Sequence, residues 1–256
     1  MMRALLTLAL MLGATRIVAG AEPLADQYLI EGRLAEGEKA LSDALRANPK
    51  DDQARFGLAS VQYFRAVERL AQGLYRYGFN DRRVRFLLRF PLPLPENPHP
   101  RTVKYSDLKP MLQTWIDDLG RAEATLSEIT DPDVKLPLHI ALCRLDLDGD
   151  GKPEDESTAW KLYAQIDQRR GAGLSAQMAE RFVIAFDRGD VAWLRGYCHL
   201  LMAMSETMLA YDGKDLFEHC AHLIFTRIET PYPFLNHAPT DSGEMPILDM
   251  IAAIHL

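Results

Sequence analysis

Acidic side chains are crowded into one short stretch of this sequence. Residues 146–156 contain six carboxylates and a single lysine. Neighbouring carboxylates repel one another unless a positive charge lies among them. Asp146, Asp148 and Asp150 alternate along the stretch, and Gly151 follows directly. Calcium takes six to eight oxygen ligands, and a loop with acids at its first, third and fifth positions curls their oxygens around one point. The spacing therefore predicts a calcium site.

The residues that follow the third aspartate fit the same chemistry. Gly151, at the sixth position, permits a sharp turn because it has no Cβ. The backbone carbonyl of Lys152, at the seventh position, is the next predicted ligand. This front half resembles the calcium loops of EF-hands and dockerins and the related Asp-rich loops of extracellular repeat proteins.

The back half of the loop departs from that resemblance. The EF-hand pattern implies a bidentate Glu at position twelve, and the sequence has Ser157 there. We include Glu154, at the ninth position, in the predicted metal ligands, and Asp155 or Glu156 are alternatives for completing the site. The competing interpretation is a solvated acidic turn before a helix, since Asp and Glu favour helix N-termini.

A second group of possible metal ligands lies further along the chain. Glu218, His219, Cys220 and His222 occur within five residues. His219 and His222 are about one helical turn apart, so that both can face one ion. This spacing predicts an alternative function, a metal-dependent hydrolytic enzyme in which calcium is structural. The simpler interpretation is a core thiol flanked by two surface histidines.

Charge and cysteine usage narrow the range of functions. The formal net charge is −7, which argues against nucleic-acid binding. The three cysteines are Cys143, Cys198 and Cys220. If Cys198 and Cys220 lie on antiparallel helices that turn at residues 212–213, their heights differ by roughly 12 Å. A disulfide needs Cα atoms within about 7 Å, so we expect buried free thiols.

The first helices carry a pattern of small and aromatic residues. Ala25, Tyr28, Gly37 and Leu41 are followed by a late proline within residues 24–49. This pattern resembles a tetratricopeptide repeat, in which small residues let two antiparallel helices approach closely. A shift of 34 residues gives a second, degenerate match. An ordinary helical hairpin with coincident small residues is the alternative.

The two ends of this N-terminal part are marked by composition. Residues 1–21 have a basic residue, a short apolar run and an A-x-A site, as expected for a signal peptide cleaved before Glu22. We therefore expect a periplasmic or secreted protein with no membrane span after cleavage. The resulting division is a signal peptide (1–21), repeat-like helices (22–90), a proline-rich strap (91–105) and a helical body (106–256) that contains the loop 146–157.

Hydrophobic periodicity predicts helices through most of the body. The helix after Ser106 has one apolar face. The helix from Asp190 has two, which predicts a central position in the core. Residues 136–145 fit either a short extended run or a helix, and the pattern leaves both open. Residues 247–256 form an apolar, uncapped helical pattern, which we expect to pack on something that follows.

These patterns together predict an all-α fold with little or no β structure. Helical hairpins are expected to precede a body stapled by the calcium loop. Tetratricopeptide-like folds generally bind other proteins, so the resemblance implies a non-catalytic calcium-binding scaffold with a protein or peptide partner.

Overall fold

The computed structural model describes residues 23–79, 94–166 and 174–235. Within these ranges the protein is mostly helical with one small sheet, as the sequence predicted. The α-helices are α1 (Leu24–Glu31), α2 (Leu34–Ala47), α3 (Asp52–Arg76), α4 (Tyr105–Ser127), α5 (Ala159–Ile166), α6 (Ala176–Arg181), α7 (Arg188–Ala210) and α8 (Lys214–Cys220). The strands are β1 (Leu136–Leu138) and β2 (Ile184–Phe186).

Helices α1 and α2 pack closely through the small residue that the sequence singled out. A Cβ added at Gly37 would lie 2.6 Å from the Cβ of Tyr28, far closer than two carbons can approach. The turn between the helices is made by Gly32, whose φ of +68° is unfavourable for other residues. Close packing of this pair is therefore confirmed, and it requires glycine at position 37.

Helix α3 does not follow the second repeat match. It runs without a break from Asp52 to Arg76, and the Asp51 side chain caps it by accepting from the amide of Ala54 at 2.8 Å. Leu58, Ala59, Ala71 and Tyr75 of the second match therefore lie on one long helix and form no hairpin, and Gly78 follows its end. The leucine, alanine and tyrosine that suggested a repeat are spaced along this single helix.

The core is built where α3, α4 and α7 lie side by side. Trp115, Leu119 and Cys198 are buried between these helices. A second cluster lies beneath α1 and α2, where Leu41 and Leu136 are almost fully buried. The predicted apolar face of α4 is confirmed by the burial of Trp115, Ile116, Leu119, Ala122 and Leu126.

The ambiguous stretch before the acidic loop is extended at its start. Leu136 pairs with Phe186 in the antiparallel sheet of β1 and β2. A single turn of 3-10 helix, Ile140–Leu142, follows. The acidic loop is thus entered from a strand and a tight turn, with no α-helix directly before it.

Helix α7 buries only one of its two apolar faces. Val191, Cys198 and Ser205 are buried, as expected for the face toward α4. The other face was expected to lie in the core, and this prediction was wrong. Met208, at the end of the face that carries Cys198, is exposed too. The exposed large side chains are Trp193, Leu200, Met204, Met208 and, just beyond the helix, Tyr211.

Several sequence predictions lie outside the described residues. These are the signal peptide at residues 1–21, the end of the repeat-like region at residues 80–90, residues 91–93 of the proline-rich strap and the apolar C-terminal pattern at residues 247–256. Among the helices of the described part, none combines the length and apolar character needed to cross a membrane.

Candidate metal centre

The three alternating aspartates meet at one point. One carboxylate oxygen each from Asp146, Asp148 and Asp150 lies within 4.8 Å of the other two. The first two side chains are half-buried and the third is exposed. Converging hard oxygens suit a divalent cation of the calcium or magnesium type. The group can therefore hold a metal ion, as the spacing of the sequence indicated.

Backbone amides hold these carboxylates in place. Asp146 accepts hydrogen bonds from the amides of Gly149 at 2.8 Å and Gly151 at 3.0 Å, and Asp150 accepts from the amide of Lys152 at 2.7 Å. The two glycines have φ of +81° and +80°, so both positions favour glycine. The sequence had indicated this role only for Gly151. Because these amides offset part of the carboxylate repulsion, the loop keeps its curl by its own hydrogen bonds.

The two ends of the loop are tied together at its base. Arg144 and Thr158 form an antiparallel β-bridge, and the amide of Ala159 donates to the carbonyl of Cys143 at 2.8 Å. The amide of Arg144 also donates to the carbonyl of Leu29 at 2.9 Å. The loop is therefore closed on itself and attached to α1.

Two side chains of α3 attach the first aspartate to the helical core. Glu68 accepts a hydrogen bond from the amide of Asp146, and the Gln72 amide donates to the carbonyl of Asp146, both at 2.8 Å. The backbone at Gly149 also lies against Gln72. Sequence reasoning missed both residues. The available signal was their spacing of four residues, which puts two polar side chains on one face of a largely buried helix.

Burial changes the acidity of Glu68. The side chain is about nine-tenths buried. Desolvation is the main cause that raises its pKa to about 7, and the charge of Asp146 adds to it. The hydrogen bond from the Asp146 amide and the nearby arginines act in the opposite direction. A carboxyl that titrates near neutral pH thus touches the backbone of a predicted metal ligand.

The back half of the loop is occupied by ion pairs. Asp155 and Glu156 both form ion pairs with Lys161, and neither carboxylate joins the group of three aspartates. The Ser157 hydroxyl is turned to the carbonyl of Glu154 at 2.7 Å. The Glu154 side chain is exposed and lies outside the group of three aspartates. Of the side chains predicted as ligands, the structure thus brings together the three aspartates and leaves Glu154 outside the group. The predicted ligand at Lys152 is a backbone carbonyl, so it is not one of these side chains.

The two histidines of the alternative site have different surroundings. His219 Nδ1 lies 2.7 Å from the carbonyl oxygen of Asp215, and its ring packs against Tyr232. His222 is buried, contrary to the expectation of a surface side chain. In the described part of the chain, neither histidine belongs to a group of three or more side chains placed to hold a metal. This arrangement gives the hydrolytic alternative no support.

Comparison of the chain with protein-family models, with curated proteins and with solved structures found no match. The protein is therefore classified by its fold and its site alone. It is a helical protein with an aspartate-lined loop that can hold a metal ion.

Proposed function

We propose that this protein is an exported, non-catalytic scaffold that binds calcium and a protein partner. The observation that carries the proposal is the convergence of Asp146, Asp148 and Asp150 on one point. The coordination shell of a calcium ion there would be completed by the Lys152 carbonyl, by Glu154 or by water. Calcium is favoured over magnesium because it accepts irregular oxygen cages, whereas magnesium demands near-ideal octahedral geometry and dehydrates reluctantly.

Calcium is expected to stabilise the fold because only the folded loop gathers these oxygens. A ligand at about 100 times its Kd stabilises by roughly 2.7 kcal/mol. Millimolar calcium reaches that ratio for a Kd of about 10 µM, within the range of sensor loops. The missing acid at Ser157 lowers the expected affinity. We therefore predict that calcium raises the Tm by a few degrees, and magnesium by less.

Thermal melts in chelator and in millimolar calcium test the site. The variant Asp148→Ala with Asp150→Ala should lose the calcium response. The matched control is Asp155→Ala with Glu156→Ala, which removes the same charge from the same loop but leaves the three aspartates intact. The control should respond to calcium as wild type does. An unchanged melting temperature of wild type in calcium would return the loop to a solvated acidic turn.

The exposed face of α7 supports a protein partner. Trp193 stacks on Tyr197 with ring centroids 5.3 Å apart, and Leu200 and Met204 continue the stripe one and two turns on. Contiguous exposed apolar side chains of this kind mark interaction sites. We expect the partner to contribute an apolar helix that packs along this stripe.

A pull-down from the native envelope tests the partner. Leu200→Asp with Met204→Asp should lose a protein that wild type retains, because two charges then lie in the contact. Gln177→Asp, on an exposed position of α6, is the control and should retain it. If wild type, the double variant and the control all captured the same protein, α7 would not be part of the contact with the partner.

Export is tested on the material itself. The intact mass of the protein recovered outside the cytoplasm should correspond to a chain that begins at Glu22. Soluble cytosolic protein that keeps residues 1–21 would contradict this part of the proposal.

A further inference from the structure

A cleft of about 300 Å³ adjoins the acidic loop. One wall is the end of α3 with Arg76, a second is the segment that carries His99 and Arg101, and the third is the loop tip at Asp148 and Gly149. A volume of this size is at the lower end of small-molecule sites. The cleft therefore has room for a small organic molecule beside the metal centre.

The basic walls are held together by backbone hydrogen bonds. The amide of Arg101 donates to the carbonyl of Arg76 at 3.0 Å. The side-chain amide of Asn97 donates to the carbonyl of Tyr75 at 2.8 Å, and the Asn97 side-chain oxygen accepts from the amide of His99 at 2.8 Å. The cations are thus mounted on a backbone that is already in place, which lowers the entropy that a ligand must overcome.

The two arginines of this cleft are exposed, and the acidic side chain of Asp148 lines the same cleft. On the same helix, Arg65 pairs with Glu38 and Arg69 with Asp118. Within the described residues, neither Arg76 nor Arg101 forms an ion pair with an acidic side chain. A larger cleft beside α8 differs, since its Lys104 and Lys214 each pair with a glutamate.

We propose that this cleft binds the phosphate monoester of a small organic molecule. Two guanidinium groups match the oxygens of a phosphate in charge and in hydrogen-bond geometry. A monoester carries close to two negative charges at neutral pH, so it offsets both Arg76 and Arg101. The remaining volume, lined by Tyr75 and Asn97, takes the organic part.

Asp148 connects this cleft to the candidate metal centre. Asp148 contributes to both, and its negative charge repels an anion in the cleft when the loop is empty. A divalent ion on the three aspartates would offset two of their three negative charges and would leave a coordination position for a phosphate oxygen. This coupling rests on the proposed calcium function, whereas the contacts to the arginines do not.

Isothermal titration calorimetry with glycerol 3-phosphate tests the cleft, in chelator and in millimolar calcium. Glycerol and glycerate are the probes without phosphate. Wild type should bind glycerol 3-phosphate more tightly in calcium than in chelator. It should bind glycerate at least tenfold more weakly than glycerol 3-phosphate. Arg76→Gln with Arg101→Gln should weaken phosphate binding at least tenfold in both media. Arg181→Gln, at an exposed arginine of α6, should bind as wild type does.

A separate calcium titration without any phosphate keeps the two proposals apart. If calcium binds but glycerol 3-phosphate does not, or binds the arginine variant equally well, the cleft proposal is overturned and the calcium function stands. If phosphate binding depends on the arginines while calcium does not bind at all, the cleft stands and the calcium function fails. Equal affinity for glycerate would overturn the assignment to phosphate.

Discussion

Glu68 is the residue whose charge state depends most directly on the acidic loop. Its pKa in the folded protein is raised to about 7, mainly by burial, above the ordinary value of 4.5. The fold therefore favours the protonated form. The stability that this preference adds to the free energy of unfolding is fully present below about pH 4.5. It is lost as the pH rises through about 7.

The variant Glu68→Gln isolates this effect. Glutamine keeps an oxygen that can accept from the Asp146 amide and carries no charge. In chelator, we expect it to be more stable than wild type at pH 8 by up to roughly 3 kcal/mol, and similar to wild type at pH 4.5. Urea denaturation at the two pH values measures the difference. Glu180→Gln, at an exposed site, is the control, and an equal effect of Glu68→Gln at both pH values would contradict the burial argument.

At the scale of elements, the contact between α1 and α2 depends on the absence of one methyl group. Gly37→Ala should destabilise the protein by about 1–3 kcal/mol, because the new carbon would overlap Tyr28. Gly196→Ala is the matched control on α7, where an added Cβ meets nothing within 4 Å. There the higher helix propensity of alanine should leave stability unchanged or raise it by up to about 1 kcal/mol. Chemical denaturation of both variants provides the comparison, in which equal changes would rule out close packing as the cause.

The repeat-like pattern shows how far a local motif determines an element. Small residues and a tyrosine in the first match indicate close packing, and α1 and α2 do pack closely. In the second match the same kinds of residue lie within α3, which has no glycine or proline in the stretch where a turn would be needed. A continuous helix keeps every interior backbone hydrogen bond, so similar spacing alone does not produce a hairpin.

At the scale of the whole molecule, burial protects two of the three thiols. Cys143 and Cys198 are buried, whereas Cys220 is only partly buried, so the prediction of buried thiols was wrong for Cys220. All three thiols are unpaired. Burial raises the pKa of Cys198 to about 12 and also raises that of Cys143. Since the thiolate is the reactive form, both should react slowly in the native protein.

Thiol titration without reductant checks this placement. In denaturant we expect three reactive thiols. In native buffer Cys220 should react first, because it is the most exposed of the three, although burial raises its pKa as well. Cys220→Ser should remove the fast phase without changing the slow ones. Finding a single reactive thiol in denaturant would reveal a disulfide and contradict the assignment of three free cysteines.

The sequence by itself determined what depends on neighbours along the chain. The helical class follows from periodicity, and the metal group follows from acids at alternating positions, since a few residues suffice to curl a loop. Ring closure over five residues, from Asp146 to Asp150, needs no distant partner. The buried face of α4 and the close approach at Gly37 were predictable for the same reason.

Only the tertiary structure decided what depends on distant contacts. Residues 136–138 became a strand because Ile184–Phe186 lies beside them, nearly fifty residues away along the chain. Glu68 and Gln72 meet Asp146 although more than seventy residues separate them. One apolar face of α7 stays exposed because α4 covers only the other. The sequence shows that a face is apolar, but burial depends on which elements pack against it.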